Sequence, residues 1–140
     1  MAAINLNTVR STIETRTRDE FNDKRPIPVV FNNIPFDASN VDTFIQCNVS
    51  FGSSSYETQG SSTNAANLLT GLVLLNVFTK QGVGSGDNFT ICKRIRDLYN
   101  RITVSSVIFD APIGPEILTS SPEGKFQTQI RVTFSIYEDL

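Results

Sequence analysis

At 140 residues the chain has the length of one domain, enough to bury roughly two thirds of the surface its unfolded form exposes. Twelve Lys and Arg against fourteen Asp and Glu leave a net charge of −2, which argues against a protein held to nucleic acid by a basic patch. Hydrophobic residues make up 39%, with ten Phe and no Trp, so the core is expected to be Phe with Ile, Val and Leu.

Taken in order, Leu6, Val9, Ile13 and Phe21, with Thr17 between them, follow helical spacing. Asn5 or Asn7 can cap this helix, and Arg10–Glu14, Glu14–Arg18 and Arg16–Glu20 stand four apart on its exposed face. It should end near Asn22–Asp23, because Pro26 and Pro28 cannot continue it. Ile27–Asn32 then reads as a short edge strand, since those prolines remove ladder donors, and Asn32–Asn40 as a turn region around Pro35. Thr43–Phe51 alternates, with Ile45, Cys47, Val49 and Phe51 on one face and Gln46, Asn48 and Ser50 on the other. Gly52–Asn64 is Ser, Thr, Gly and Gln around a single Tyr56 and predicts a long polar loop.

Asn67–Lys80 has the composition of a buried helix or a long strand. Thr70 and Gly71 favour the strand, with Leu72, Leu74 and Phe78 alternating with Val73, Leu75 and Val77. Apolar residues on both faces predict a helix over one and room for a partner chain on the other. Gln81–Gly86 breaks the chain, and Asp87 is expected to cap a second helix carrying Ile91, Ile95, Leu98 and Ile102, with Cys92 and Tyr99 beside them. Lys93, Arg94, Arg96, Asp97 and Arg101 would form its wet face. Thr103–Asp110 reads as a strand, followed by a loop with Pro112, Pro115 and Pro122. In the last strand Phe126, Thr128, Ile130, Val132, Phe134 and Ile136 oppose Gln127, Gln129, Arg131, Thr133 and Ser135. This order predicts a single α+β domain over residues 1–140, a mainly antiparallel sheet with two helices packed on one face.

Catalytic equipment is sparse. The absence of histidine removes Ser-His-Asp and Cys-His catalysis and most transition-metal sites. Gln81-Gly-Val-Gly-Ser-Gly86 precedes a helix but lacks the Lys-Ser/Thr and the glycine spacing of a phosphate loop, so it reads as a connector. Glu14, Glu20, Glu138 and Asp139 show no convergent pairing, and no Asp-rich calcium loop is present. No cofactor and no metal site is expected. Cys47 and Cys92 sit in apolar stretches outside any CxxC pair and read as buried free thiols, with a disulfide between them as the less favoured alternative. No signal-peptide core is seen, and Leu68–Phe78 falls far short of the ~20 residues of a membrane span. The expected setting is a reducing cytoplasm. The glycosylation-type triplets at Asn48 and Asn88 carry no weight without secretion.

What remains is a polar sheet face and a polar loop, either an ordinary solvated surface or a lateral protein interface. The candidate interface residues are Ser53, Tyr56, Glu57 and Gln59 in the loop, and Gln127, Gln129 and Arg131 on the last strand.

An ordered set of pieces adds to this. They are Thr8-Val-Arg-Ser-Thr-Ile-Glu-Thr-Arg, Pro28-Val-Val-Phe-Asn-Asn-Ile-Pro-Phe, Phe44-Ile-Gln-Cys-Asn-Val-Ser-Phe with the polar stretch to Gly60, and Gly71-Leu-Val-Leu-Leu-Asn-Val-Phe. After the glycine-rich turn follow Cys92-Lys-Arg-Ile-Arg-Asp-Leu-Tyr and Phe126-Gln-Thr-Gln-Ile-Arg-Val-Thr-Phe-Ser-Ile-Tyr. Over most of its length the chain resembles the phage tail terminator family, the tail-completion proteins of long-tailed phages. The resemblance implies a tail-terminator-like fold and a homo-oligomeric ring, typically a hexamer. Such a ring caps the tail tube in the virion, ends its polymerisation and joins the tail to the head connector. The implied partners are other copies of the chain, the tail-tube protein and neck proteins, with no membrane and no sequence-specific nucleic acid. No catalytic residue is implied. The competing expectations are another neck or tail-tube component and, from a different class, a small-molecule-binding or enzymatic α+β domain using a cleft near Gly82–Asp87.

Overall fold

The structure, a computed structural model, describes residues 5–23, 25–32, 34, 36, 41–56, 66–119 and 124–139. Helix α1 spans Leu6–Asp23. Asn5 is its cap: the side-chain oxygen accepts the N–H groups of Asn7 (2.9 Å) and Thr8 (3.3 Å), donors that the first turn leaves without partners. Val9, Ile13, Thr17 and Phe21 form its buried stripe, as their spacing predicts. The chain then turns into β1 (Val29–Phe31), which pairs in parallel with β2 (Phe44–Tyr56) at Ile45–Cys47 and lies at the sheet edge. Beyond β1, the Asn32 amide takes over the role of a strand, donating to the Val49 carbonyl (2.8 Å) and accepting its N–H (3.2 Å).

The centre of the sheet is three long antiparallel strands, β2, β3 (Ala66–Lys80) and β7 (Lys125–Asp139). After β3 come helix α2 (Gly86–Tyr99), β4 (Thr103–Val104), β5 (Val107–Phe109) and β6 (Ile113–Leu118). The order across the sheet is β1-β2-β3-β7-β5-β4, with β6 also on β7. This is an α+β architecture with a mainly antiparallel sheet, as expected.

Four local expectations are corrected. Gly52–Tyr56 is strand, not loop: the ladder with β3 overrides weak β-propensity, and a bulge between Phe51 and Ser54 absorbs the extra residue. The remainder of the expected loop, 57–64, lies outside the described residues, as does most of the Asn32–Asn40 turn region. Thr103–Asp110 is not one strand but the β4–β5 hairpin, turned at Ser105 and Ser106, whose positive φ values of 48° and 71° match the twist of the flanking strands. The proline-bearing loop contains β6. Pro115 sits where its register shifts, a position that tolerates a missing donor. Finally, Ser85 and not Asp87 is the N-cap of α2, and Ile102 lies beyond its end.

Buried residues of both helices join Ile45, Cys47, Val49, Val73, Leu75, Val77, Ile130, Val132 and Phe134 in one cluster. The Phe134 ring lies over Gly71, its register partner, and meets Phe51 edge-on at 6.0 Å. A Cβ at position 71 would run into that ring, so Gly71→Ala should cost about 1–3 kcal/mol through overpacking. The check is a lowered urea midpoint with an unchanged m-value.

Lys93, Asp97 and Arg101 are exposed on α2 and just beyond it, as expected, whereas Arg16, Arg94 and Arg96 fasten the helices to their neighbours. Arg16 donates to the Leu98 carbonyl (3.1 and 2.8 Å), and Arg94 reaches the Glu20 carbonyl (2.8 Å) and carboxylate (3.5 Å) across the Phe21 ring. Arg96 holds the Pro112 carbonyl (2.9 Å) ahead of β6. Arg10–Glu14 is the expected helical pair, at 2.8 Å.

Two polar groups lie deep in this layer. The Tyr99 and Thr17 hydroxyls share the Ile13 carbonyl (3.0 and 3.1 Å) and contact each other. Asn88 is fully buried, donating to the Val77 carbonyl (3.1 Å) and Thr79 hydroxyl (3.3 Å) and accepting from Thr128 (2.5 Å) and the Cys92 thiol (3.4 Å). Asn88→Ala would strand several of these groups without partners, a loss of about 2–4 kcal/mol that chemical denaturation would read.

Candidate protein interface

The even-numbered residues of β3 face away from both helices. Their register builds rows across β2, β3 and β7. Phe44, Phe78 and Gln127 form the first, and Gln46, Asn76 and Gln129 the second. Asn48, Leu74 and Arg131 form the third, and Ser50, Leu72 and Thr133 the fourth.

The first row is closed over. Phe44 stacks on Phe78 at 4.4 Å, Val30 and Val41 pack beside them, and Phe36 meets Phe44 at 5.1 Å. Lys125 donates to the Val41 carbonyl and lies over the Phe44 ring.

The second row is an amide ladder. The Asn76 oxygen accepts from Gln127 and Gln129, each at 3.1 Å, and its amide donates to Gln46 at 3.3 Å. Asn76 is 5% exposed, so these bonds satisfy a polar group that would otherwise be costly to bury. Arg131 pairs with Glu116 of β6 at 3.6 Å; both side chains are about half exposed, and the pair adds little stability. Thr133 donates to Asp110 at 2.7 Å.

From the third row on, no described residue covers this face. Leu68, Leu72 and Leu74 are half-buried, flanked by Asn48, Ser50, Thr133 and Ser135. A depression of about 580 Å³ opens here between Ser50, Leu68, Thr70, Leu72, Thr133 and Ser135. An apolar stripe inside a rim of uncharged hydrogen-bonding groups has the composition of a protein contact surface.

The structure therefore brings Gln127, Gln129 and Arg131 together on this face. Ser53 is exposed at the β2 bulge, and its carbonyl accepts from Thr70 (3.1 Å). Tyr56 is paired by its backbone to Asn67, while Glu57 and Gln59 lie outside the described residues. Asn76, the hub of the ladder, reads in the sequence only as a break in the apolar run Leu68–Phe78.

The glycine connector offers no cradle. A Cβ at Gly82 or Gly84 would meet nothing within 4 Å, and both residues take positive φ (90° and 88°), so the turn rather than a ligand requires them. The first turn of α2 already has its anion: Asp87 forms a two-pronged pair with Arg25 (2.5 and 2.9 Å), which holds the carboxyl below its usual range. A second groove, of about 830 Å³, follows the outer side of α1 between Arg10, Arg16, Asp19, Asp23, Leu98 and Ser105. Its charges are of both signs and Arg16 is already engaged, so nothing there converges on one ligand chemistry. Among the described residues no group of three His, Cys, Asp or Glu could hold a metal ion, and no helix is long and apolar enough to cross a membrane. Cys47 and Cys92 are buried free thiols.

No protein-family model matches the chain, and no curated protein matches it. Among solved structures 25 chains match. One of them, bearing no descriptive name, superposes with a TM-score of 0.69 at 13% identity, covering 96% of each chain. At that identity the likeness defines the fold alone.

Proposed function

We propose that the protein is a structural component of a long-tailed phage virion, a tail terminator that acts as a homo-oligomeric, hexameric ring. It caps the tail tube, ends its polymerisation and meets the head connector through contact surfaces, without turnover of a substrate. The uncovered sheet face supports this reading most directly: a half-buried leucine stripe set among Gln, Asn, Ser and Thr suits a partner chain and lacks convergent titratable groups. A closed ring needs a heterologous contact, one flank of each subunit fitting the opposite flank of the next. The flanks here differ, with β1 and β2 on one and β4, β5 and β6 on the other. Pro26 and Pro28 beside β1 discourage open-ended growth along that edge.

Two measurements test the reading. Negative-stain images of the purified protein, alone and with tail-tube protein, should show rings. Infected cells lacking the protein should accumulate tails of excessive, irregular length or tails that fail to join heads. Tails of normal length that attach normally in its absence would sink the assignment to the terminator.

A further inference from the structure

At one end of the sheet no described strand borders either lateral edge. On one side, β1 accompanies β2 only to Cys47, and the Asn32 amide closes Val49; no described strand continues along Phe51–Tyr56. On the other, β6 covers β7 up to Arg131 and β5 up to Ser135, and no described strand accompanies the residues from Ile136 to Asp139. The two open stretches lie at the same level, since Ser54 aligns through Leu69 with Ile136, and Tyr56 through Asn67 with Glu138.

Ladder alternation identifies the backbone groups that face outward. Ile45 bonds to Pro28 and Val49 to Asn32, so on β2 the residues pointing away from β3 run 45, 47, 49 and 51. Past the bulge this set becomes Ser54 and Tyr56. On β7, Thr133 accepts from Asp110, so the outward set is 131, 133, 135, 137 and 139. Tyr137 and Asp139 thus mirror Ser54 and Tyr56. The β2 stretch, Phe51-Gly-Ser-Ser-Ser-Tyr56, carries neither a charge nor a proline, the usual guards of an exposed edge.

We infer that this end is a β junction between copies of the chain, in which the β7 edge at Tyr137–Asp139 of one copy pairs with the β2 edge at Phe51–Tyr56 of the next. Resting on the ring reading above, this names the surfaces that would close the ring. Because β2 and β7 both run antiparallel to β3, they are parallel to each other, and a sheet continuing through identically oriented copies makes the junction a parallel one. The occupant is a second copy because the chain presents both halves at matching height. A twofold β2-to-β2 contact would leave the β7 edge open.

Proline substitution tests this without touching the ladders inside the subunit. Ser54→Pro and Tyr137→Pro each remove an outward N–H and spare the bonds to β3. Each variant, first shown by thermal melting to fold like the native chain, should stay a 15.5 kDa monomer under conditions where the native protein forms rings. Mixed in equal amounts, they retain one good β7 edge and one good β2 edge, so the mixture should yield species of two chains and no rings. In the native protein, amides of residues 51–56 should exchange more slowly in the ring than in the diluted monomer.

Rings formed by either variant alone, or a mixture that stays monomeric, would overturn the junction. Native rings whose 51–56 amides exchange as fast as in the monomer would remove the junction and leave the ring reading intact. A native protein that stays monomeric even beside tail-tube protein would remove both.

Discussion

Replacing Val132 by Asp should leave no cooperatively folded protein. Val132 is fully buried at the middle of β7, opposite Val73 of β3 and inside the cluster that both helices cover. The carboxylate would lie where Ile, Val and Phe side chains offer no partner. An unpaired buried charge costs several kcal/mol, comparable with the 5–15 kcal/mol that holds a domain of ordinary stability together. Ser50→Asp gives the contrast: it adds the same charge to the exposed side of β2 and should change stability by no more than about 1 kcal/mol. Far-UV circular dichroism during heating separates the two. A cooperative transition in Val132→Asp near the native temperature would mean that the wrong face of β7 has been placed inside.

That prediction is legible from sequence because β7 alternates without interruption, and a period of two survives whatever packs on it. The stripe of α1 is legible for the same reason at a period of 3.6 residues. The places where pattern misleads are those where a neighbouring strand decides. Gly52–Tyr56 carries loop residues yet extends β2 because β3 is long enough to pair with it. β6 is hidden by Gly114 and Pro115, which mark a loop in isolation but sit at a register shift on β7. The β4–β5 hairpin is hidden because Ser105 and Ser106 lack the Asn-Gly signature of a tight turn.

The candidate surface divides in the same way. The outward placement of Gln127, Gln129 and Arg131 follows from alternation alone. Their connection through Asn76 does not, because it depends on which residue of β3 lies opposite, and that is a matter of register. Arg94 and Arg96 were expected in solvent, since helical spacing cannot reveal the carbonyls of Glu20 and Pro112 that await them.

Above about pH 9 the protein should lose stability steeply, and the cause is the polar centre between the helices and the sheet. Burial pushes the Cys47 thiol from its ordinary 9.0 up to about 12, only partly offset by its contact with Thr17. Burial also raises Tyr99 and Cys92, and the nearby Cys47 adds to the rise at Tyr99. All three groups are neutral when protonated, so the native state keeps protons that the unfolded chain gives up. Between pH 9 and 12 the unfolded chain binds fewer protons, and stability must fall as pH rises; below pH 9 this contribution is fully present. For Cys47 alone, a rise from 9.0 to about 12 corresponds to about 4 kcal/mol at the alkaline limit. Urea midpoints measured at pH 8, 9, 10 and 11 should hold between the first two and then decline. Cys47→Ala should lower the midpoint at pH 8, by leaving a small cavity, and should flatten the decline above pH 9 by removing one of the groups that titrate there. A native protein equally stable at pH 8 and 11, or a variant that declines as steeply as the native chain, would show that Cys47 is not held neutral in the core.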